Sequence, residues 1–248
     1  MPAATSTLCI DFGNTRQKAA FFLGNSLKEV VYFDESGLEE SLAAAVERLR
    51  PSHSILSSVI HHPESVERLL AEKTAFHLLE PATSTLSFTT PVGKPETIGA
   101  DRLALCAAAV LLHPHQNNLV IGLGTAVTYN FINTRNEFLG GGISPGMYMR
   151  MKALNNFTAR LPIVEPDWNV PLVGYDTKTN IQSGVVLGLA HEIDGFIDAY
   201  KAKYRAFNVL LTGGDMVHLA PHLRNLIFAD PDLLFKGLYA ISQINATN

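Results

Sequence analysis

Two short stretches decide how this chain is read: Cys9-Ile10-Asp11-Phe12-Gly13-Asn14-Thr15 and Ile121-Gly122-Leu123-Gly124-Thr125-Ala126. Each ends an apolar run of strand character, residues 8–10 and 119–121. Each is followed by a second such run, residues 18–23 and 127–132. Both therefore read as hairpins with glycine and a hydroxyl side chain at the tip. Such tips let backbone N–H groups approach an anion closely. Two hairpins facing each other would hold a polyphosphate between them, which points to a nucleotide-dependent phosphotransferase on a duplicated fold.

The composition sets the bounds. At 248 residues, with 47% apolar and 17% charged content, the chain has material for a large core and one or two domains. Its net charge is −4, and Lys and Arg form no long run, so nucleic acid has no electrostatic footing. The small cluster Lys201, Lys203, Arg205 reads as solvated surface. No apolar run reaches the roughly 18 residues of a membrane helix. Residues 1–7 lack the basic and apolar segments of a secretion signal, so a cytoplasmic protein is expected. Cys9 and Cys106 lie in apolar runs and read as buried thiols in a reducing compartment.

Further strands are expected at residues 30–33, 55–60, 77–79, 137–139 and 208–211. Helices are expected over 37–49, 63–73, 97–112, 144–158, 179–206, 215–219 and 232–244. Leu38, Leu42, Val46 and Leu49 show the helical spacing well. The Thr-, Ser- and Pro-rich stretch 83–95 reads as a loop. Pro114 should stop the preceding helix, and 115–118 should mark the boundary between halves. Strands alternating with helices imply α/β layering.

Five motifs carry the chemistry. Asp11 at a strand end beside Gly13 can hold Mg²⁺ through water, while Asn14, Thr15 and the backbone hold phosphate oxygens, with Lys18 in support. A plain Asx turn would give the same local pattern. Gly99-Ala100-Asp101-Arg102 sets an anion and a cation at the start of an apolar helix. Asp101 could take a proton from a substrate hydroxyl, and Arg102 offers a fork that matches a carboxylate. A helix-start Asp favoured by the dipole is the other explanation. Gly122-Leu123-Gly124-Thr125 superficially begins a dinucleotide fingerprint, but the β-branched, aromatic run 127–132 makes a strand follow, which argues against it. Gly140-Gly141-Gly142-Ile143-Ser144-Pro145-Gly146 puts three glycines and Ser-Pro before a helix expected from Ser144, which allows close backbone approach to a ligand beside the helix N-terminus; a glycine-rich turn between strand and helix is the other explanation. Thr212-Gly213-Gly214-Asp215 reads as a strand-to-helix turn that can line a nucleoside pocket. The histidines show no zinc spacing.

In this order the motifs resemble the type III pantothenate kinases, within the superfamily of acetate and sugar kinases, heat-shock chaperone ATPases and actin. The resemblance also takes in the segments 153–162, Thr177 with Ser183-Gly184, and Asp232-Leu233 with Gly237-Leu238. It implies a duplicated actin-like (ribonuclease H-like) α/β fold, with halves at 1–115 and 116–248 and a nucleotide cleft between them. It implies ATP-dependent phosphorylation of pantothenate to 4′-phosphopantothenate, the first step toward coenzyme A, by a cytoplasmic homodimer using Mg²⁺ and in many members K⁺ or NH₄⁺. Carried over by position, Asp11 organises Mg²⁺, and Gly13, Asn14, Thr15, Lys18, Gly124 and Thr125 bind phosphate. Asp101 is the base. Gly99, Ala100 and Arg102 bind pantothenate, as does Thr177, which comes from the partner subunit in one arrangement. The chain departs from the family at Gly122 and Asn130, where Asp is usual, and at Val92, where Tyr is common. Losing the carboxylate at 122 removes a cation ligand. Two other readings therefore stand beside the first: a catalytically impaired regulatory or scaffold homologue, and a kinase of another small hydroxyl substrate.

Overall fold

Runs of β-branched and aromatic residues become strands of two five-stranded sheets in a computed structural model, which describes residues 5–34, 37–91 and 93–246. In the first sheet, β1 (Ser6–Phe12) pairs antiparallel with β2 (Gln17–Leu23), and β2 with β3 (Ser26–Phe33). On its other side β1 runs parallel to β4 (His53–Ser58), which runs parallel to β5 (Ala75–Leu78). Leu8, Cys9 and Ile10 are all fully buried, as a central strand covered on both faces requires. On one face Leu8, Ile10 and Phe12 meet Leu42 and Val46 of α1 (Leu38–Leu49) and Val66 and Leu70 of α2 (Glu64–Lys73). The other packing partners are α3 (Ala100–Leu112) and α7 (Leu233–Asn245), whose closest approach is at Gly237. A Cβ there would lie 1.8 Å from the Ala104 carbonyl oxygen.

The second sheet repeats the pattern. β6 (Asn118–Leu123) pairs antiparallel with β7 (Ala126–Ile132) and parallel with β9 (Asn208–Gly213). β8 (Phe138–Pro145) neighbours β7, and the two-residue β10 (Phe228–Ala229) runs parallel to β9. Over this sheet lies α5 (Thr177–Lys203), whose Val186, Leu189, Ile193 and Ile197 pack with Leu119, Ile121, Tyr129 and Phe131. α4 (Met147–Asn156) contributes Met147 and Met151 to the same core, and the single-turn α6 (Met216–Leu219) contributes Met216 and Leu219. The strand orders, β3-β2-β1-β4-β5 and β8-β7-β6-β9-β10, correspond element for element. Register gives the correspondence by residue. Asp11 pairs with Lys18 and Ser57, and Gly122, one residue from the end of its own strand, pairs with Thr128 and Thr212.

The chain forms two compact units. One comprises Met1–Pro114, Asn136–Phe138 and Asp232–Asn248, and the other His115–Arg135 and Leu139–Pro231. Most expected elements are present with shifted ends. The glycine run is the exception. Instead of a turn with a helix from Ser144, residues 138–145 form β8, and the helix starts at Met147. The glycines serve close strand packing: a Cβ on Gly141 would lie 1.8 Å from the Tyr129 carbonyl oxygen, and Gly140 takes a φ of 96°. Cys9 and Cys106 are buried free thiols, each held protonated by burial. Val92 lies outside the described residues.

Candidate active site

The first hairpin is built by the β1–β2 register. Gly13 N–H donates to the Arg16 carbonyl at 3.1 Å, closing a loop that leaves Asn14 and Thr15 exposed at its tip. Asp11, one residue before the strand ends, is 6% exposed. Directly across the ladder stands Lys18, whose Nζ is 3.9 Å from Asp11 Oδ2 and 4.8 Å from the centre of the Phe235 ring of α7. Burial pushes the Asp11 carboxyl up to about 6; Lys18 pulls it down, Asp101 pushes it up, and Ser57 pulls it down more weakly. Ser57 is fully buried on β4 in register with Asp11, and its hydroxyl has no partner at full hydrogen-bond geometry. Its effect on the Asp11 carboxyl places that hydroxyl beside the carboxylate.

Asp101 lies in the first turn of α3, after Gly99 at the N-cap. Burial raises its pKa, opposed by the backbone N–H groups of Arg102 and Asp101 and by the Arg102 charge. A Cβ on residue 99 would lie 2.6 Å from Asp101 Oδ1, so glycine here leaves the carboxylate its place over the helix start. The Arg102 guanidinium sits 5.5 Å from the centre of the Phe138 ring. One unit thus brings together Asp11, Lys18, Ser57 and Asp101. Two carboxylates within electrostatic reach of one another, both raised by burial, form the kind of pair that clusters at functional sites.

The second hairpin is tighter. Gly124 N–H donates to the Ala126 carbonyl at 3.1 Å, and Gly124 and Thr125 are exposed. Gly146 N–H donates to the Thr125 carbonyl at 3.0 Å. A Cβ at Gly146 would lie 2.3 Å from the Gly124 carbonyl oxygen, so only glycine lets the β8–α4 junction brace this loop. Gly122 sits in the regular ladder of β6, so its backbone is extended. Asn130 is fully buried, with its amide nitrogen donating to Val120 O at 3.3 Å and Thr128 Oγ1 at 3.2 Å. Thr177 is exposed at the first position of α5, after an Asp176 cap that accepts from Thr179 N–H at 2.7 Å.

The site chemistry fits a phosphate-bound divalent ion. Asp11 presents a buried carboxylate with Lys18 at the edge of contact, and Ser57 a buried hydroxyl still lacking a full bond. Among the described residues no group of three or more His, Cys, Asp or Glu could hold a metal alone. A Mg²⁺ here would complete its shell with water and phosphate oxygens, as Mg²⁺ commonly does. Motif reading missed Ser57, Phe235 and the bracing role of Gly146. Ser57 had no local signal, because only the parallel register of β4 on β1 brings it to Asp11.

A model of the type III pantothenate kinase family matches residues 7–199. The chain belongs to that family. A type III pantothenate kinase of Flavobacterium johnsoniae is 38% identical over 97% of this chain and 99% of its own length. Among solved structures, a conserved Campylobacter jejuni protein assigned to the Baf family of transcriptional activators superposes with a TM-score of 0.64 at 24% identity, covering 97% of this chain and 100% of that one. A glucokinase from an Antarctic psychrotroph gives 0.50 at 11% identity, covering 96% and 99%. These two likenesses show the fold alone: the duplicated actin-like architecture shared with sugar kinases. Among the described residues of this type III pantothenate kinase family member, no helix is long and apolar enough to cross a membrane.

Proposed function

We propose that this protein transfers the γ-phosphoryl group of ATP to pantothenate, giving 4′-phosphopantothenate and ADP on the route to coenzyme A. The observation that carries the reading is the pair of perturbed carboxylates, Asp11 and Asp101, on the elements that bear the family motifs. Asp101 is the base. It takes the proton of the pantothenate hydroxyl as the new O–P bond forms and the bond to the β-phosphate oxygen breaks. Its raised proton affinity suits that task, since a base works best with a pKa nearer the working pH. Phosphoryl transfer is loose, so positioning and charge neutralisation carry most of the catalysis. Asp11 would hold a Mg²⁺ through water, and that ion would supply positive charge to offset the phosphates. Lys18, Gly13, Asn14 and Thr15, and on the second hairpin Gly124 and Thr125, hold phosphate oxygens. Gly99, Ala100, Arg102 and Thr177 bind pantothenate.

The same reading takes the chain as two actin-like halves, 1–115 and 116–248. It takes the protein as a cytoplasmic homodimer. A monovalent cation, K⁺ or NH₄⁺, is part of the reading only in so far as ligands other than Gly122 hold it. That glycine favours a second reading, an impaired homologue on the same fold. A panel separates them. The protein is incubated with MgATP and, separately, pantothenate, acetate and glucose, and products are read by mass spectrometry. A phosphoryl adduct of pantothenate alone supports the kinase; an adduct of acetate or glucose, or none, overturns it.

A further inference from the structure

A half-buried charged cluster in the second unit lies outside the roles assigned above. Glu192 of α5 accepts from Tyr129 Oη at 3.0 Å and Ser144 Oγ at 2.5 Å through one carboxylate oxygen, and from Arg150 Nη2 at 2.5 Å through the other. Arg150 of α4 also donates from Nη2 to Ser144 Oγ at 3.1 Å and from Nε to the Pro145 carbonyl at 2.7 Å. Burial pushes the Glu192 carboxyl up, and the bonds from Ser144, Arg150 and Tyr129 outweigh it and hold the group ionised. Side-chain exposures of 21% for Arg150 and 24% for Glu192 shield the pair from most solvent screening.

Three of these contacts fall on the end of β8: Ser144 Oγ to Glu192, Arg150 to Ser144 Oγ, and Arg150 to the Pro145 carbonyl. Ser144 and Pro145 are gripped directly, and the next residue is Gly146. Gly146 donates to Thr125 O and leaves no space for even a methyl group against Gly124. A shift of the β8 end would therefore move the Gly124-Thr125 tip with it. We propose that Glu192 is a positioning residue for the second phosphate hairpin, acting on Thr125 through Arg150, Ser144 and Gly146. It touches no substrate. Its role rests on the reading that Thr125 binds nucleotide phosphate.

The test uses Glu192→Gln, with Arg150→Gln as the variant that opens the same pair from the other side. Thr125→Ala serves as the reference for the hairpin's own role. Two quantities are measured: exchange of the Gly146 backbone amide by NMR, and the KM values for MgATP and for pantothenate. The inference expects Gly146 exchange to quicken in both pair variants. It expects the KM for MgATP to rise on the order of tenfold, with the KM for pantothenate unchanged, because small displacements of a binding group are costly. Thr125→Ala should show the same KM split with normal Gly146 exchange. Unchanged exchange and an unchanged KM for MgATP in the pair variants, even with a lowered melting temperature, would overturn the inference and make the cluster purely structural. Quickened exchange with no change in the KM for MgATP in any variant, Thr125→Ala included, would overturn the hairpin's phosphate role and the inference with it.

Discussion

Asp11 is buried near the end of a central strand with Lys18 Nζ 3.9 Å away, and its carboxyl is pushed up to about 6 from 3.8. The sign follows directly. Between these two values the folded protein binds a proton that the unfolded chain has released, so stability falls as pH rises through that window. At pH 7 the full penalty applies, at most about 3 kcal/mol from the shift and 1.36 kcal/mol per unit. Asp11→Asn should therefore stabilise the ligand-free protein by about 1–3 kcal/mol at pH 7 in urea unfolding. At pH 4 it should change little. A loss of stability at pH 7 would contradict this electrostatic account. Asp101→Asn addresses chemistry instead. It should lower turnover on the order of 10² to 10⁴, with ATP affinity by calorimetry nearly unchanged. Turnover within a factor of a few of the parent would remove Asp101 from proton transfer. Both residues were legible in the sequence because their motifs are local: a strand end beside glycine, and a charged pair at a helix start. Ser57 was not, because its nearness to Asp11 is a property of strand register across a helical crossover.

At the scale of elements, glycine spacing means different things in different places. In α7, Gly237 faces the α3 backbone with no space for a methyl group, whereas Gly188 in α5 is exposed and a Cβ there meets nothing within 4 Å. Gly237→Ala should force the two helices apart and cost more than about 2 kcal/mol, in the range of overpacked cores. Gly188→Ala should stabilise by about 0.5–1 kcal/mol, the backbone-entropy advantage of alanine in a helix. Melting temperatures that move the same way for both variants would refute the contrast. The same ambiguity explains the misread segment 140–146. Three glycines before Ser-Pro look like a turn, yet here they let an edge strand approach β7, and Gly146, beyond the run, braces the phosphate hairpin. The two-residue β10 carried too little pattern to be read at all.

Over the whole molecule, the duplication that the paired hairpins implied extends to sheet order and register, and it sets the unlike residues Asp11 and Gly122 in matching places. Gly122 lies in extended backbone, so an aspartate there meets no left-handed strain. Gly122→Asp should fold stably and raise the rate, or its response to K⁺, by adding a carboxylate where the second hairpin lacks one. A stable variant whose rate and K⁺ titration match the parent would take position 122 out of any cation site. The function itself rests on the carboxylate pair and the family motifs together, and the fold alone would serve many phosphotransferases. The most direct test follows ADP release from MgATP by the unmodified protein, with and without pantothenate, in K⁺, NH₄⁺ and Na⁺ buffers. The account predicts ADP formation that depends on pantothenate and matches 4′-phosphopantothenate mole for mole. ADP formed at the same rate without pantothenate, or no ADP in any of the three buffers, would contradict it.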